Sequence, residues 1–284
     1  MYRRHEGFFE GHDGLNLFFQ VWENPRARGT ILVTHGQGEH SECYHRVVDF
    51  FKDGEWSFFA WDLRGHGRSE GKRGYAPSFE DYVSDYRIFL DLMLQDPRMS
   101  GKPVILMSHS MGGLVQLKTL AHQSLPVAAQ TCSAPFLGLA FTPPGWKDAG
   151  ARLLNRIYPE MTLWNEISPS MVTRDPEVIR EFEQDVLRHD RISPGVYLGF
   201  QPAFDDVMTH ASSIKIPTLM QLAEEDPVVS TPTAKIFFER LGAKDKELRI
   251  YGNGARHEIY NDLERNQALT DLKNFVDPYL EARP

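Results

Sequence analysis

Hydrophobic positions along this chain follow two patterns, which predict strands alternating with helices. Continuous apolar runs of the kind found in buried strands lie at 30–34, 58–62, 104–107, 128–133, 216–222 and 248–251. Between Ser78 and Gln95 the apolar residues recur every three or four positions instead, which predicts an amphipathic helix. We expect a further helix to open at Thr231-Pro232, with the threonine as its cap and the proline in its first turn.

The beginning of the chain departs from this alternation. The pattern from Phe8 to Trp22, with Asp13-Gly14 near its middle, predicts a β-hairpin. Elsewhere, strands that alternate with helices are typical of the α/β class, in which helices cover both faces of a mostly parallel sheet. The chain has 284 residues, of which 41% are hydrophobic, enough to bury a sizeable core in one large domain.

Ser110 follows one of these apolar runs and precedes a predicted helix, within the sequence Ser108-His109-Ser110-Met111-Gly112. A strand that turns into a helix within a few residues strains the backbone at the turn and exposes the side chain found there. The flanking positions must be small: Gly112 meets this demand, and Ser108 stands where the usual pattern has glycine. The same pattern also suits an ordinary helix cap, so the serine alone does not establish a nucleophile.

Two further groups follow in chain order, each just past the end of a predicted strand. The first contains Glu224, Glu225 and Asp226, and the second contains His257. Serine, acid and histidine in this order are typical of one class of serine hydrolase. A serine hydroxyl becomes nucleophilic when an imidazole accepts its proton, and a carboxylate holds that imidazole in the required tautomer. The order therefore predicts a catalytic triad.

Backbone donors for a developing oxyanion are expected from two places. The run 30–34 ends in a loop that carries Gly36 and Gly38, and glycines let backbone N–H groups turn towards a ligand. In hydrolases of this class one donor comes from such a loop and the other from the residue after the nucleophile. The predicted donors are the backbone N–H groups of Gln37 and Met111.

The segment 136–205, called the cap insertion below, interrupts the alternation of strands and helices. It is rich in aromatic and aliphatic residues, contains several prolines and carries a charged stretch at 174–191. An apolar insertion after the nucleophile helix predicts a cap over the active site, with a core domain formed by 1–135 and 206–284. We expect about half of its apolar residues to pack inside the insertion, and the remainder to line an acyl tunnel or face lipid.

Taken together, these motifs resemble those of the monoacylglycerol lipase and bacterial lysophospholipase group of the α/β-hydrolase superfamily. The matching blocks span nearly the whole chain and lie at 35–41, 61–71, 108–113, 225–226 and 257–260. The resemblance implies an α/β-hydrolase fold and a serine esterase that cleaves single-chain acyl lipids through an acyl-enzyme. The site residues it implies are a triad of Ser110, Asp226 and His257, with substrate contacts from Gly36, Glu39, His40 and Tyr260.

Three positions depart from the pattern of that group. Cys43 stands where the group often has a basic residue that could help to recognise a polar head group, which leaves a preference for a glycerol head open. Ala223 replaces a common glycine before the acid, and Asp185-Val186-Leu187 replaces a common Asp-Pro-Leu in the cap insertion. The last two departures do not touch the triad.

Composition restricts the partners and the compartment. The two cysteines give no disulfide framework, and the first residues are not followed by an apolar stretch of signal-peptide length, which predicts a cytoplasmic protein. No apolar run approaches the roughly 20 residues of a membrane span, so any membrane or micelle contact is expected to be transient, peripheral and made through the cap insertion. The formal charge of −8 disfavours nucleic acid as a partner. We expect a small-molecule acyl ester as substrate and no cofactor, while the oligomeric state stays open.

Other functions fit the sequence less well. A dinucleotide-binding loop would need a third glycine after Gly36 and Gly38, and Ser41 takes its place. The eleven histidines include no His-Glu-x-x-His zinc motif, so no metal is predicted. A general carboxylesterase or thioesterase of short acyl esters stays open, as does a ligand receptor that has the fold without catalysis.

Several residues near the predicted site compete for its roles. Glu224 and Glu225 are the nearest rivals of Asp226, whereas three other carboxylates are expected to cap loops or face solvent, namely Asp62, Asp205 and Asp206. Four histidines that precede the last strand are expected to shape loops or to pack, namely His35, His40, His66 and His109.

Overall fold

The computed structural model describes residues 1–281, and these residues form ten strands. In chain order they are β1 (Arg3–Glu10), β2 (Asn16–Glu23), β3 (Gly29–Thr34), β4 (Trp56–Trp61), β5 (Val104–His109), β6 (Ala129–Ser133), β7 (Leu163–Trp164), β8 (Arg191–Ile192), β9 (Thr218–Ala223) and β10 (Lys246–Tyr251). Eight of them form one sheet in the order β1-β2-β4-β3-β5-β6-β9-β10, and β7 pairs with β8 separately. The first two neighbouring pairs of the large sheet are antiparallel, and the remaining five are parallel.

Burial accounts for the strands that the sequence predicts. All residues of β3, β4, β5, β6 and β9 are buried, as expected for central strands covered on both faces. The predicted hairpin is confirmed, but it begins at Arg3 rather than at Phe8. The first half of β1 is an exposed edge whose polar residues give no hydrophobic pattern to read.

The described residues also form nine α-helices, which lie on both faces of the sheet. They are α1 (His45–Phe50), α2 (Glu80–Leu94), α3 (Ser110–His122), α4 (Gly145–Ile157), α5 (Pro169–Val172), α6 (Pro176–Gln184), α7 (Pro194–Thr209), α8 (Thr231–Arg240) and α9 (Arg265–Val276). α1 and α9 pack in the core on one face, and α2, α3, α7 and α8 pack in the core on the other. Within residues 1–281, no helix has both the length and the apolar character that crossing a membrane requires.

The cap of α8 differs from the prediction by one residue. Ser230, not Thr231, caps the helix, because the Ser230 hydroxyl accepts a hydrogen bond from the backbone N–H of Thr233 at 3.3 Å. The Thr231 hydroxyl instead donates to the carbonyl of Ala223 at 2.8 Å, which ties the start of α8 to the end of β9. Pro232 lies in the first turn, as predicted.

The cap insertion leaves the sheet after β6 and returns before β9. It contains α4, β7, α5, α6, β8 and most of α7. The sequence places the boundary of the cap insertion at 205, but α7 continues without interruption to Thr209. α7 packs against both α4 and α3.

Candidate active site

Ser110 lies at the junction where β5 ends and α3 begins. Its φ of 50° is in the left-handed region, which is rare and strained for a residue with a side chain. Two residues on, only glycine fits: a Cβ on Gly112 would lie 2.3 Å from the carbonyl oxygen of His35. Ser108 is buried in the position where the usual motif has glycine. The turn is therefore as sharp as the sequence pattern predicts.

The hydroxyl of Ser110 meets the imidazole of His257, which in turn meets Asp226. Ser110 Oγ lies 2.8 Å from His257 Nε2, and His257 Nδ1 lies 2.8 Å from Asp226 Oδ2. Asp226 Oδ1 accepts hydrogen bonds from the backbone N–H groups of Val228 and Val229 at 2.8 and 3.1 Å. The relative exposures of Ser110, His257 and Asp226 are 8%, 3% and 7%, so water is largely excluded from this chain of hydrogen bonds.

The pKa shifts of His257 and Asp226 suit a general base next to Ser110. Burial alone would lower the pKa of His257, but the Asp226 carboxylate raises that pKa above its ordinary value. Burial would likewise raise the pKa of Asp226, but His257 and the two backbone donors lower it. Asp226 is therefore ionised at neutral pH, and its bond to Nδ1 leaves Nε2 as the acceptor for the hydroxyl proton of Ser110.

The rival carboxylates lie elsewhere. Glu224 and Glu225 are exposed to solvent on the loop before Asp226. Asp62 is buried and accepts hydrogen bonds from the backbone N–H groups of Ser41 and Arg68, each at 2.7 Å. Two more carboxylates, those of Asp205 and Asp206, lie on α7.

The loop after β3 passes next to Ser110. A Cβ on Gly36 would lie 2.9 Å from Ser110 Cβ, so this approach requires glycine. The N–H of Gly36 donates to Glu39 Oε1 at 2.5 Å, which fixes the turn. Gln37 and Met111 both line a cavity at Ser110. Within residues 1–281 the Gln37 N–H makes no backbone hydrogen bond, and Met111 lies in the first turn of α3, where backbone N–H groups have no partner inside the helix. Free N–H groups of this kind suit an oxyanion site.

Two of the four predicted substrate contacts line a cavity at Ser110, and the other two do not. Gly36 and Glu39 line a small pocket at Ser110. His40 and Tyr260 line neither of the two cavities that contain Ser110. The ring of His40 lies 2.7 Å from an Asp185 oxygen, and the Tyr260 hydroxyl donates to the side chain of Gln221.

His40 differs from the other histidines near the site in its charge. Burial works against its charged form, but Cys43 and the Asp185 carboxylate raise the pKa of His40 to about 10. Burial lowers the pKa of His109 to about 3 and that of His35 to about 4. The His109 ring lies 4.7 Å from the His257 ring, centroid to centroid, and its Nδ1 is 2.7 Å from the Ser133 hydroxyl. His109 is therefore a neutral neighbour of His257.

Two cavities with different linings meet at Ser110. The larger, called the apolar cavity, has a volume of ≈ 440 Å³ and a mostly apolar lining, largely from the cap insertion, that includes Met111, Phe136, Ala151, Leu154, Trp164 and Phe200. The smaller, called the polar pocket, has a volume of ≈ 30 Å³ and a lining that includes Glu39, His109, Asn165, Arg188 and Glu258. Ser110 and Gln37 line both.

Arg188 is a residue of this site that sequence reasoning missed. It comes from the cap insertion and binds Glu258, the residue after His257, through two hydrogen bonds of 2.9 and 3.2 Å. Although burial opposes ionisation, Arg188 lowers the pKa of Glu258. Burial and the nearby Glu258 raise the pKa of Glu39. No sequence spacing signals a contact between residues this far apart, and one arginine among the charged residues of 174–191 does not stand out.

Groups that could hold a metal ion lie away from the triad. Residues 1–281 contain two clusters of this kind, one of His40, Cys43 and Asp185, the other of His122, Asp206 and His210. Neither includes Ser110, Asp226 or His257. The arrangement at Ser110 can activate a hydroxyl and stabilise an oxyanion with protein groups alone.

The chain is similar in sequence to a family of serine hydrolases and to several lipases. The family described as serine aminopeptidase, S33, matches residues 25–264. The monoglyceride lipase of Homo sapiens is 30% identical over 257 residues, which cover 88% of this chain and 82% of that protein. The monoacylglycerol lipase of Mycolicibacterium smegmatis is 26% identical over 280 residues, 98% of both chains. The phospholipase YtpA of Bacillus subtilis is 27% identical and covers 92% of this chain and 99% of that protein.

Solved structures give the same fold. The crystal structure of Paleococcus ferrophilus monoacylglycerol lipase aligns with a TM-score of 0.81 and 27% identity, covering 93% of this chain and 98% of that chain. A soluble variant of monoglyceride lipase from Saccharomyces cerevisiae aligns with a TM-score of 0.84 at 20% identity, over 96% and 94% of the two chains. With the eight-stranded sheet, these neighbours confirm the predicted α/β-hydrolase fold.

Proposed function

The chain belongs to the serine aminopeptidase S33 family of serine hydrolases, and we propose that Ser110, His257 and Asp226 cleave the ester bond of single-chain acyl lipids. The protein is a serine hydrolase of carboxylic esters, in the same group as its relatives named monoacylglycerol lipase and phospholipase. The observation that carries the proposal is the 2.8 Å contact between His257 Nε2 and Ser110 Oγ, together with the place of Ser110 in the lining of the apolar cavity.

In the first half of the proposed reaction, the acyl chain lies in the apolar cavity and its carbonyl carbon faces Ser110. Ser110 Oγ attacks this carbon while its proton passes to His257 Nε2. Asp226 holds the other ring nitrogen and stabilises the imidazolium that forms. The backbone N–H groups of Gln37 and Met111 bind the oxyanion of the tetrahedral intermediate. His257 then protonates the leaving alcohol, and an acyl-enzyme remains on Ser110.

In the second half, water replaces the alcohol. His257, neutral again, takes a proton from that water, and the hydroxide attacks the acyl carbonyl. The second tetrahedral intermediate uses the same two backbone donors and collapses to release the fatty acid. The proton on His257 returns to Ser110 Oγ, which restores the site.

The lining of the apolar cavity supports a lipid rather than a peptide substrate. An aminopeptidase must bind the ammonium group at the start of its peptide, which calls for a free carboxylate near the nucleophile. Glu166 lines the apolar cavity, but both of its oxygens lie 2.6 Å from the ammonium of Lys147. An acyl chain needs no such group, because burial of its methylenes provides the binding free energy.

The polar pocket supports a neutral head group. Arg188 is already paired with Glu258. Burial lowers the pKa of His109 to about 3 and that of His189 to about 4, so both rings are neutral at pH 7. Among the described residues that line the pocket, no unpaired cation awaits a phosphate. A glycerol head, which carries only hydroxyls, is better matched than a phosphate to the charges next to Ser110, so monoacylglycerol is the proposed substrate ahead of lysophospholipid. His40 and Tyr260 are not part of the proposed substrate site.

We propose that the cap insertion also makes the contact with a membrane or micelle. On α4 the side chains of Trp146, Leu153 and Ile157 are 71%, 58% and 69% exposed. Trp146 also lines the apolar cavity, so the exposed surface continues into the binding site. Contiguous exposed apolar surface next to a cavity is typical of a site that meets lipid. Ester substrate could thus enter from lipid without crossing water.

A substrate panel tests the reaction class. The purified protein is assayed with monoacylglycerols of increasing chain length, lysophosphatidylcholine, acyl-CoA, nitrophenyl acetate and an aminoacyl nitroanilide. We expect the highest kcat/KM for a long-chain monoacylglycerol. A preference for acetate would leave a general carboxylesterase, and a preference for the nitroanilide would leave an aminopeptidase. A protein that binds lipid but is not labelled at Ser110 by a fluorophosphonate would be a receptor.

Vesicle binding tests the membrane contact. The double variant Leu153→Ser and Ile157→Ser is compared with Leu263→Ser, which removes an equally exposed leucine outside the cap insertion. We expect the double variant to partition into neutral lipid vesicles about tenfold less than the native protein, and the control to match the native protein. Equal losses for both variants would contradict a contact through the cap insertion.

A further inference from the structure

A third pocket lies between the core and the cap insertion, apart from the reaction site. This side pocket has a volume of ≈ 140 Å³ and does not include Ser110 or His257. Its lining includes His40 and Cys43 from the core and Asp185 from the cap insertion. One ring nitrogen, the sulfur and one carboxylate oxygen of these three residues all lie within 4.8 Å of one another.

The three side chains form a donor set of one nitrogen, one sulfur and one oxygen. Zn²⁺ binds thiolate, imidazole and carboxylate in tetrahedral sites, and a site with three protein ligands keeps its fourth position for water. Ca²⁺ and Mg²⁺ prefer sites made of oxygen ligands alone, so the imidazole and the sulfur count against them. We infer that His40, Cys43 and Asp185 form a binding site for a zinc ion, with water from the side pocket as the fourth ligand.

The distances allow this site with a small movement. Two ligand atoms about 2.1 Å from a tetrahedral zinc are roughly 3.4 Å apart. His40 Nε2 and Asp185 Oδ2 are 2.7 Å apart, so one of them must move by about 0.7 Å to admit the ion. The His40 side chain is only 5% exposed, whereas that of Asp185 is 28% exposed. Asp185 also lies directly after the last residue of α6. Asp185 is therefore the ligand that adjusts.

The surrounding charges tolerate a cation. Two arginines line the side pocket, but each is paired: Arg188 binds Glu258, and Arg46 Nη2 lies 2.6 Å from a Glu181 oxygen. Asp185 and a Cys43 thiolate supply the negative charge that faces the ion, and zinc must displace the proton that His40 carries at neutral pH before its ring nitrogen can bind. The side pocket, at ≈ 140 Å³, has room for the water ligand, since a water molecule needs only about 10–15 Å³ of such cavity volume.

A search for zinc motifs in the sequence could not find this cluster, because His40 and Asp185 are 145 residues apart. Cys43, the soft ligand, is also the position at which the chain departs from the pattern of its group. The ion would join the cap insertion to the loop that carries Gln37. Since it binds only the folded protein, it should raise the melting temperature. Zinc binding at this site would occur whether or not Ser110 hydrolyses esters.

Cobalt provides a direct probe of the sulfur ligand. The chelator-treated full-length protein is titrated with Co²⁺, and the thiolate-to-cobalt charge-transfer band is recorded. Zn²⁺ affinity is then measured by competition. Burial raises the pKa of Cys132, the other cysteine, to about 12, so the band reports on Cys43. The background variant His122→Gln with His210→Gln removes the second metal-type cluster, which is exposed and has no sulfur.

The expected results are specific to the three ligands. The native protein and the background variant should both show the band, and the background variant, which lacks the second cluster, should bind one Zn²⁺ per chain. Cys43→Ser should lack the band, and both Cys43→Ser and Asp185→Asn should bind Zn²⁺ about 100-fold more weakly or worse. Without metal, Cys43→Ser should keep the native melting temperature, because Cys43 is partly exposed. Asp185→Asn should lower the melting temperature, because the buried His40 ring loses its carboxylate partner, so its zinc affinity is measured at a temperature at which the variant is folded.

Three outcomes would overturn the inference. They are the absence of a cobalt–thiolate band in the native protein, unchanged zinc affinity in Cys43→Ser, and loss of zinc binding in the background variant alone. An independent readout is alkylation of Cys43 by iodoacetamide, which bound zinc should slow about tenfold or more because it occupies the thiolate. Alkylation at the same rate with and without zinc would also count against the site.

Discussion

Arg188 and Glu258 form a buried, two-pronged ion pair that joins the cap insertion to the residue next to His257. A second link lies close by, since the backbone N–H of Glu258 donates to the carbonyl of Val172 at 2.8 Å. The loop that carries His257 is therefore held by the same segment that covers the substrate cavity. Movement of the cap insertion would be felt at the imidazole as well as at the acyl chain.

Breaking this ion pair should destabilise the protein strongly. Arg188→Met leaves the Glu258 carboxylate buried without its partner, which typically costs about 3–5 kcal/mol. The double variant Arg188→Met with Glu258→Met should recover most of that loss, because two apolar side chains leave no unpaired charge. Urea denaturation measures both. Equal destabilisation by the single and the double variant would show that the pair is not what holds these segments.

Removal of either partner of the Ser110–His257 hydrogen bond should abolish turnover while the fold remains. Ser110→Ala and His257→Ala are each expected to lower kcat by roughly 10⁴-fold or more, and the double variant should lose little beyond that. The reason is that the hydroxyl and the base act as one unit. The test compares the steady-state kcat of the three variants with a nitrophenyl ester. If the fold-losses of the two single variants multiply in the double variant, the two residues do not act in one step.

Asp226, rather than a neighbouring acid, should orient His257. Asp226→Asn is expected to lower kcat by about 10⁴-fold, because an amide at this place favours the wrong imidazole tautomer. Glu225→Gln is the matched control: its side chain is exposed and one residue away, so activity should stay near the native value. A large loss in the control with little change in Asp226→Asn would shift the assignment by one residue.

The pH profile should reflect the raised pKa of His257. The base works only when neutral, so kcat/KM should fall as the pH drops through the pKa of His257, and the midpoint should lie above that of an ordinary histidine. The Asp226 carboxylate causes the increase, so Asp226→Asn should move the acid limb to lower pH. Rates measured from about pH 5 to about pH 9 test this. A midpoint that does not move in the variant would mean that another group controls the limb.

Filling the apolar cavity should shorten the preferred acyl chain. Gly150 lines the apolar cavity, and a Cβ there would meet no atom within 4 Å, so Gly150→Leu adds its side chain without a clash at the wall of the proposed acyl site. Each methylene it displaces removes up to about 0.8 kcal/mol, so loss of four could lower kcat/KM for long chains by roughly 100-fold. Rates for short chains should change little.

Gly145 provides the control for that experiment. It lies on the same helix, α4, and a Cβ there would likewise meet no atom within 4 Å, but Gly145 does not line the apolar cavity. Gly145→Leu should therefore leave the chain-length profile unchanged. If both variants shift the profile alike, the effect comes from the helix as a whole and not from the volume of the cavity.

Much of the fold follows from local sequence. Strands such as β3 and β5 are continuous apolar runs, so the hydrophobic pattern predicts them. The sharp turn at Ser110 requires a small neighbouring residue, which the motif supplies, so the motif predicts the turn. The hairpin start at Arg3 was not predictable in the same way, because an edge strand buries few residues. The cap at Ser230 was missed for another reason: two adjacent residues with similar hydroxyls both suit a cap, and tertiary contacts decide between them.

The rest of the site depends on contacts between distant parts of the chain. Arg188 lies 70 residues from Glu258, and its importance comes only from the burial that both residues share. His40 and Tyr260 show the opposite case, since their place in sequence blocks suggested substrate contacts and their side chains bind Asp185 and Gln221 instead. Linear spacing carries no information about which side of a loop faces a cavity.

The positive φ of Ser110 has a consequence for the evolution of such chains. A residue with a side chain in the left-handed region costs about 1–2 kcal/mol, and glycine avoids that cost. Folding alone would therefore favour glycine at this position, and chemistry alone favours serine. The domain gives up part of its own stability for the reaction. A descendant released from selection for hydrolysis could become more robust by a single change that erases its nucleophile.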